Sequence, residues 1–128
     1  MRLLLDTHLL LWLSEDSDRL SRSARELIGD PDNTIVFSVA SLWEASIKHS
    51  LQRPDYDAPP AVLRQAFLER GFEELDVRGP HAMAVAALPL LHRDPFDRML
   101  LAQAMVEQLT FLTTDRILAA YPGPIQRV

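Results

Sequence analysis

Four carboxylates stand where an acid can do chemistry: Asp6, Glu44, Asp97 and Asp115. Asp6 directly follows Arg2 to Leu5, a short apolar run that reads as a buried strand. Asp115 follows Thr110-Phe111-Leu112-Thr113-Thr114, another strand-like run. In open parallel sheets, ligands collect outside the carboxyl ends of the strands. Asp97 opens a helix that is apolar around most of its circumference, so it is expected near the interior, where a carboxylate needs a partner or a metal. Glu44 lies on an amphipathic helix. An all-oxygen set of this kind selects hard cations such as Mg²⁺ or Mn²⁺. No cysteine is present, and His8, His49, His81 and His92 show no zinc spacing. Each histidine reads as a surface or packing residue.

Every one of these acids also has a purely structural reading. Asp6 and Asp115 could cap the helices that follow them. Asp97 favours the dipole of a helix already begun by Asp94 as N-cap and Pro95 in the first turn. Ser41-Leu42-Trp43-Glu44 matches a capping box, and Glu44 could pair with Lys48 one turn on.

The elements that must position these residues alternate between β-like runs and helical patterns, which argues for an α/β fold with a parallel sheet. Strands are expected at Arg2 to Leu5, Thr34 to Phe37, Glu74 to Val77, Thr110 to Leu112 and Ile125 to Val128. Helices are expected at Thr7 to Leu13, Leu20 to Ile28, Val39 to Leu51, Ala61 to Arg70, His81 to Leu88, Phe96 to Gln108 and Arg116 to Ala120. In the third helix Val39, Leu42, Trp43 and Ile47 share one face, and Trp43 is expected in the core. Left exposed, the Trp43 and Ile47 face, like Leu9 to Leu13 with Trp12, would instead be an apolar patch of the type that marks interfaces.

The 128 residues, 48% of them hydrophobic, suit one domain spanning 1–128. Asp6 and His8 interrupt the apolar start, and no stretch approaches the ~20 apolar residues of a membrane span. A cytoplasmic protein with no membrane association is expected. The net charge of −5 argues against passive nucleic-acid coating. It argues less against a metal-dependent nuclease, whose bound cations reverse the local sign.

Four blocks in order, Leu4-Leu5-Asp6-Thr7-His8, Ser38-Val39-Ala40-Ser41-Leu42-Trp43-Glu44, His92-Arg93-Asp94-Pro95-Phe96-Asp97-Arg98 and Thr113-Thr114-Asp115-Arg116, resemble the PIN-domain family. Within it they most resemble the VapC-type toxins of toxin–antitoxin pairs. The resemblance implies a central parallel sheet flanked by helices on both faces, with Asp6, Glu44, Asp97 and Asp115 as the acids of a Mg²⁺-dependent endoribonuclease (Mn²⁺ the alternative). Asp6 and Asp97 would be the direct metal ligands, and Asp115 would act directly or through water. Thr7 and Thr113 fall on small polar positions beside the acids, and Asp94 is a cap or an outer-shell residue. Lys48, Arg98, Arg116 and Arg93 are cations near the acids that could meet RNA phosphates or be solvated surface charges.

The resemblance further implies a small antitoxin and a homodimer. An antitoxin helix could lie in an apolar groove and direct an arginine at the carboxylates. Rival readings are a non-catalytic partner-binding module, a stand-alone RNA-processing nuclease, and an α/β phosphatase. The phosphatase wants a second Asp two residues after the first, and position 8 is His.

Overall fold

The structure, a computed structural model, describes every residue from Met1 to Val128. Five strands are present: β1 (Arg2–Leu5), β2 (Thr34–Ser38), β3 (Glu73–Leu75), β4 (Thr110–Thr113) and β5 (Ile125–Arg127). They form one sheet in the order β3-β2-β1-β4-β5, and every pairing is parallel. Seven helices connect them: α1 (Thr7–Glu15), α2 (Arg22–Gly29), α3 (Val39–Ser50), α4 (Pro60–Glu69), α5 (Gly79–Val85), α6 (Pro95–Glu107) and α7 (Arg116–Ala119). All the expected elements are found, with boundaries displaced by no more than three residues.

The sheet is covered on both faces because side chains alternate along each strand. Leu3, Leu5, Ile35 and Phe37 join one core with Leu9 and Leu10 of α1, Ile28 of α2 and Phe67 of α4. Leu4, Val36 and Phe111 join the other, with Leu100, Leu101 and Ala104 of α6 and Leu118 of α7. The near-continuous apolar runs of the inner strands are what a doubly covered parallel sheet requires. Full burial of each leucine of β1 stabilises the fold by roughly 2 kcal/mol.

Helix α3 departs from expectation. Its buried residues are Ala40, Ser41, Glu44 and Ala45, while Trp43 is 62% and Ile47 37% exposed. Small residues let α3 approach the sheet closely, and its two inward polar residues find partners there: Ser41 meets Thr7, and Glu44 accepts from Lys48 and Tyr56. The expected placement of Trp43 in the core is therefore corrected: it lies outside, edge-on to Phe96 with ring centroids 5.2 Å apart. The expected Ser41–Glu44 capping box is also absent. Ser38 caps the helix by accepting from the Ala40 N–H, and Ser41 Oγ meets Thr7 Oγ1 at 2.8 Å instead. That bond ties α1 to α3.

Candidate metal centre at the sheet edge

The strand order reverses direction at β1, so the crevice between the ends of β1 and β4 is the topological switch point, where such sheets bind ligands. Asp6 sits there, 4% exposed. Its Oδ1 accepts from the His8 N–H at 2.8 Å and its Oδ2 from Thr113 Oγ1 at 2.7 Å. The cap reading and the site reading thus hold together for this residue. Thr113 Oγ1 also accepts from the Asp115 N–H at 3.0 Å, so one buried hydroxyl links the acids that end the two central strands.

Asp115 caps α7 through Oδ1, which accepts from the N–H groups of Ile117 and Leu118 at 2.7 and 3.2 Å. Its Oδ2 meets His92 Nε2 at 3.0 Å. Asp94 caps α6 by accepting from the Phe96 and Asp97 N–H groups. That helix start carries Asp97 into the cluster, with its Oδ2 3.5 Å from His92 Nε2. Ligand atoms of His92, Asp97 and Asp115 lie within 4.8 Å of one another. A cleft of about 400 Å³ is lined by Asp6, His8, His92, Asp94, Asp97 and Asp115, among others.

Glu44 reaches the site from α3 and is 2% exposed. Its Oε2 accepts from Lys48 Nζ at 2.6 Å and from Tyr56 Oη at 3.3 Å, while its Oε1 is buried without a partner. The Glu44–Lys48 pair anticipated as a structural alternative exists, and it leaves half of the carboxylate unsatisfied.

The electrostatics follow from crowding in a desolvated place. Burial pushes the Asp97 carboxyl up to about 8, and the negative charges of Asp6, Asp94, Glu44 and Asp115 add to the rise. Burial also raises Asp6, against the hydrogen bonds from Thr113 and the His8 N–H. At Asp115, burial raises the pKa, but the hydrogen bonds from His92 and the Leu118 and Ile117 N–H groups outweigh it, and the carboxyl is held low. Burial and the neighbouring Glu44 carboxylate lift the Tyr56 phenol above its usual range.

These observations fit a hard divalent cation. The free donors are carboxylate oxygens, one acid prefers a proton at neutral pH without a counter-charge, and a buried Glu44 oxygen has no partner. A cation would relieve all of these strains at once.

Two expectations are corrected. His92, read from the sequence as packing or surface, belongs to the acidic cluster. Arg98, proposed among the phosphate-binding cations, is 8% exposed. Its guanidinium donates to the Pro89 and Val85 carbonyls and to Tyr121 Oη. Three of its five N–H donors are spent inside the protein, and the buried side chain is poorly placed to meet a phosphate. It acts by shaping the segment before α6, since Tyr121 Oη also accepts from the N–H groups of Leu91 and His92. No local pattern marks either role, because both depend on a contact with Tyr121 far along the chain. Lys48 is half-buried against Glu44, and Arg93 and Arg116 are exposed beside the cluster.

A second concavity, about 540 Å³ and apolar, shares no lining residue with the acidic cleft. Val39 and Trp43 of α3, Val85 of α5, and Phe96 and Met99 of α6 form much of its wall.

Comparison with solved structures finds the same fold elsewhere. The VapBC2 complex of Rickettsia felis, bound to a promoter DNA fragment, contains a chain matching with a TM-score of 0.74 and 19% identity over 99% of this chain and 98% of that one. The DNA-bound VapBC of Salmonella typhimurium matches at 0.68 and 17% over 99% and 98%, respectively. A toxin–antitoxin complex from Klebsiella pneumoniae matches at 0.62 and 20%, over 98% of both chains. Comparison with curated proteins by sequence yields no match. The family model of the PIN domain matches residues 3–124, which takes in β2, β3, β4 and all of β1 but Arg2, together with all four acids and His92: the chain belongs to the PIN domain family, a family of nucleases.

Proposed function

We propose that this protein is a Mg²⁺-dependent endoribonuclease, with Mn²⁺ as an alternative ion, acting as the toxin of a toxin–antitoxin pair. The observation that carries the reading is the crowding of carboxylates around Asp97, whose carboxyl is pushed up to about 8 by burial and by the charges of Asp6, Asp94, Glu44 and Asp115. Four acids serving only as caps would have no reason to crowd one another.

Asp6 and Asp97 would hold the ion. When bound, it would supply positive charge for an RNA phosphodiester and lower the pKa of a water. The protein's own groups do the positioning. Thr113 Oγ1 fixes Asp6 Oδ2, and Thr7 Oγ1 with Ser41 Oγ holds α1 against α3. Glu44 Oε1 is the acceptor offered to a water proton, since Oε2 is taken by Lys48 and Tyr56. Asp115, held by two backbone N–H groups and His92, orients water from the outer shell. Asp94 keeps Asp97 in place by starting α6. Arg116 and Arg93 are the exposed cations that would meet flanking phosphates, and Lys48 acts at shorter range through Glu44.

The solved toxin–antitoxin complexes and the apolar groove beside Trp43 support a small antitoxin as partner; a homodimer and a cytoplasmic location are proposed on the family resemblance alone. The test of the enzymatic half is incubation of the purified protein with total RNA, in Mg²⁺ and in chelator, followed by mapping of the cut ends. Discrete ends that appear only with the ion are expected; intact RNA in both would leave a partner-binding module as the better account. The regulatory half is tested by co-expressing the small protein encoded beside this chain. If that protein neither binds nor suppresses cleavage, a stand-alone processing nuclease is favoured.

A further inference from the structure

We infer that His92 occupies the place a second cation would take: its Nε2–H donates to the Asp97–Asp115 side of the cleft, so the site holds one divalent ion per chain rather than two. This rests on the divalent-ion reading above and specifies its stoichiometry. The argument begins with the tautomer. His92 Nδ1 lies 3.0 Å from the Asp94 backbone N–H. A backbone N–H can only donate, so Nδ1 is the acceptor and the ring proton sits on Nε2. A protonated ring nitrogen has no lone pair for a metal, so Nε2 is a donor rather than a ligand.

That donor is aimed between two acids. It lies 3.0 Å from Asp115 Oδ2, within ordinary hydrogen-bond range, and 3.5 Å from Asp97 Oδ2. In two-metal sites the ions lie ~3.5–4 Å apart and are shared between neighbouring carboxylates. Here the ring nitrogen lies within reach of both the Asp97 and the Asp115 carboxylates, so those oxygens already have a donor between them. Asp115 has no idle oxygen either, since Oδ1 already accepts two N–H groups of α7. The ring is also fixed. The His92 N–H donates to Tyr121 Oη at 2.8 Å, Arg98 Nη1 braces the same oxygen at 3.1 Å, and the side chain is 13% exposed. An N–H supplied this way is preorganised and leaves the opposite side, Asp6 with Asp97 and the unpartnered Glu44 Oε1, for the single ion.

Mn²⁺ titration of the intact protein, followed by electron paramagnetic resonance, tests the inference without recourse to activity. The wild type is expected to bind one Mn²⁺ per chain, with an uncoupled six-line spectrum. His92→Ala removes the donor and should bind two, with spectral broadening from spin coupling between close ions. His92→Gln restores an N–H at similar reach and should return the count to one, which a purely structural histidine would not require. Two coupled ions in the wild type would overturn the inference, as would a folded His92→Ala variant that still takes one. No ion in the wild type would sink the divalent reading itself, a result distinct from two. If His92→Ala does not fold, the wild-type count and its retention in His92→Gln decide.

Discussion

Thr113 shows how a residue with no charge can govern a charged site. Its hydroxyl is fully buried, donates to Asp6 Oδ2 and accepts from the Asp115 N–H. Partners that orient a metal ligand typically change affinity by ~10–100-fold when removed. Thr113→Val should therefore weaken Mn²⁺ binding by about that factor in a calorimetric titration while far-ultraviolet circular dichroism stays unchanged; an unaltered affinity would place the ion away from Asp6. Asp97 makes a prediction about pH. Its folded pKa stands at about 8 against an ordinary 3.8, so the unfolded chain releases the proton first. Asp97 therefore favours the fold below about pH 4, and this contribution is lost as pH rises towards 8. Asp6, also raised, has the same sign; Asp115, held low, acts only in more acidic solution. In chelator the melting temperature should fall between pH 5 and pH 8. Asp97→Asn should flatten that fall and raise the pH 8 value by about 5 °C. The same variant should lose most of the Mg²⁺-induced rise in melting temperature, which binding to the folded state produces by mass action. Parallel pH profiles for wild type and variant would contradict the crowding described here.

At the scale of elements, α3 is the part that most needs its exposed face explained. Trp43 touches Phe96 but is mostly open to solvent, and Ile47 lies on the same side. Such apolar exposure marks interfaces rather than cores. Trp43→Ala should shift the melting temperature by less than ~3 °C, as surface changes usually do for a chain of this size. It should weaken binding of the co-expressed small partner by at least tenfold, the order expected of a buried aromatic anchor. A strongly destabilised variant would mean that Trp43 supports the fold after all. Much of the architecture was legible because the strands alternate sharply with helical patterns and the caps are strong: Asp6, Asp94 and Asp115 each accept N–H groups of the helix that follows. The face of α3 was not, because hydrophobicity predicts burial only where the buried side is apolar. Here the inward side carries the polar Ser41 and Glu44, and the apolar side is left out. His92 and Arg98 exchanged their expected importance for a similar reason. The segment between α5 and α6 has no periodicity, and its shape depends on Tyr121 and Arg98, which no sequence spacing announces.

The whole molecule explains how an acidic protein can act on an anionic substrate. The net charge of −5 includes the carboxylates gathered at one sheet edge, and a cation there would invert the local field. No helix is long and apolar enough to cross a membrane. The two cores clamp β1 and β4 from both sides, so the ends that carry Asp6, Thr113 and Asp115 are set by rigid strands rather than loops. The apolar groove and the acidic cleft meet along the chain at the start of α6, where Phe96 lines one and Asp97 the other. A partner seated on the groove would therefore lie one residue from the chemistry. The most direct test of the central claim compares wild type with Asp6→Asn and Asp97→Asn in cleavage of a single-stranded RNA, each with saturating Mg²⁺ and each verified as folded. On the proposed reading that all four acids serve one site, either substitution should reduce cleavage by about 10³-fold, a loss of roughly 4 kcal/mol in transition-state stabilisation. Cleavage within a few-fold of wild type by either folded variant would contradict the account, whatever else the protein binds.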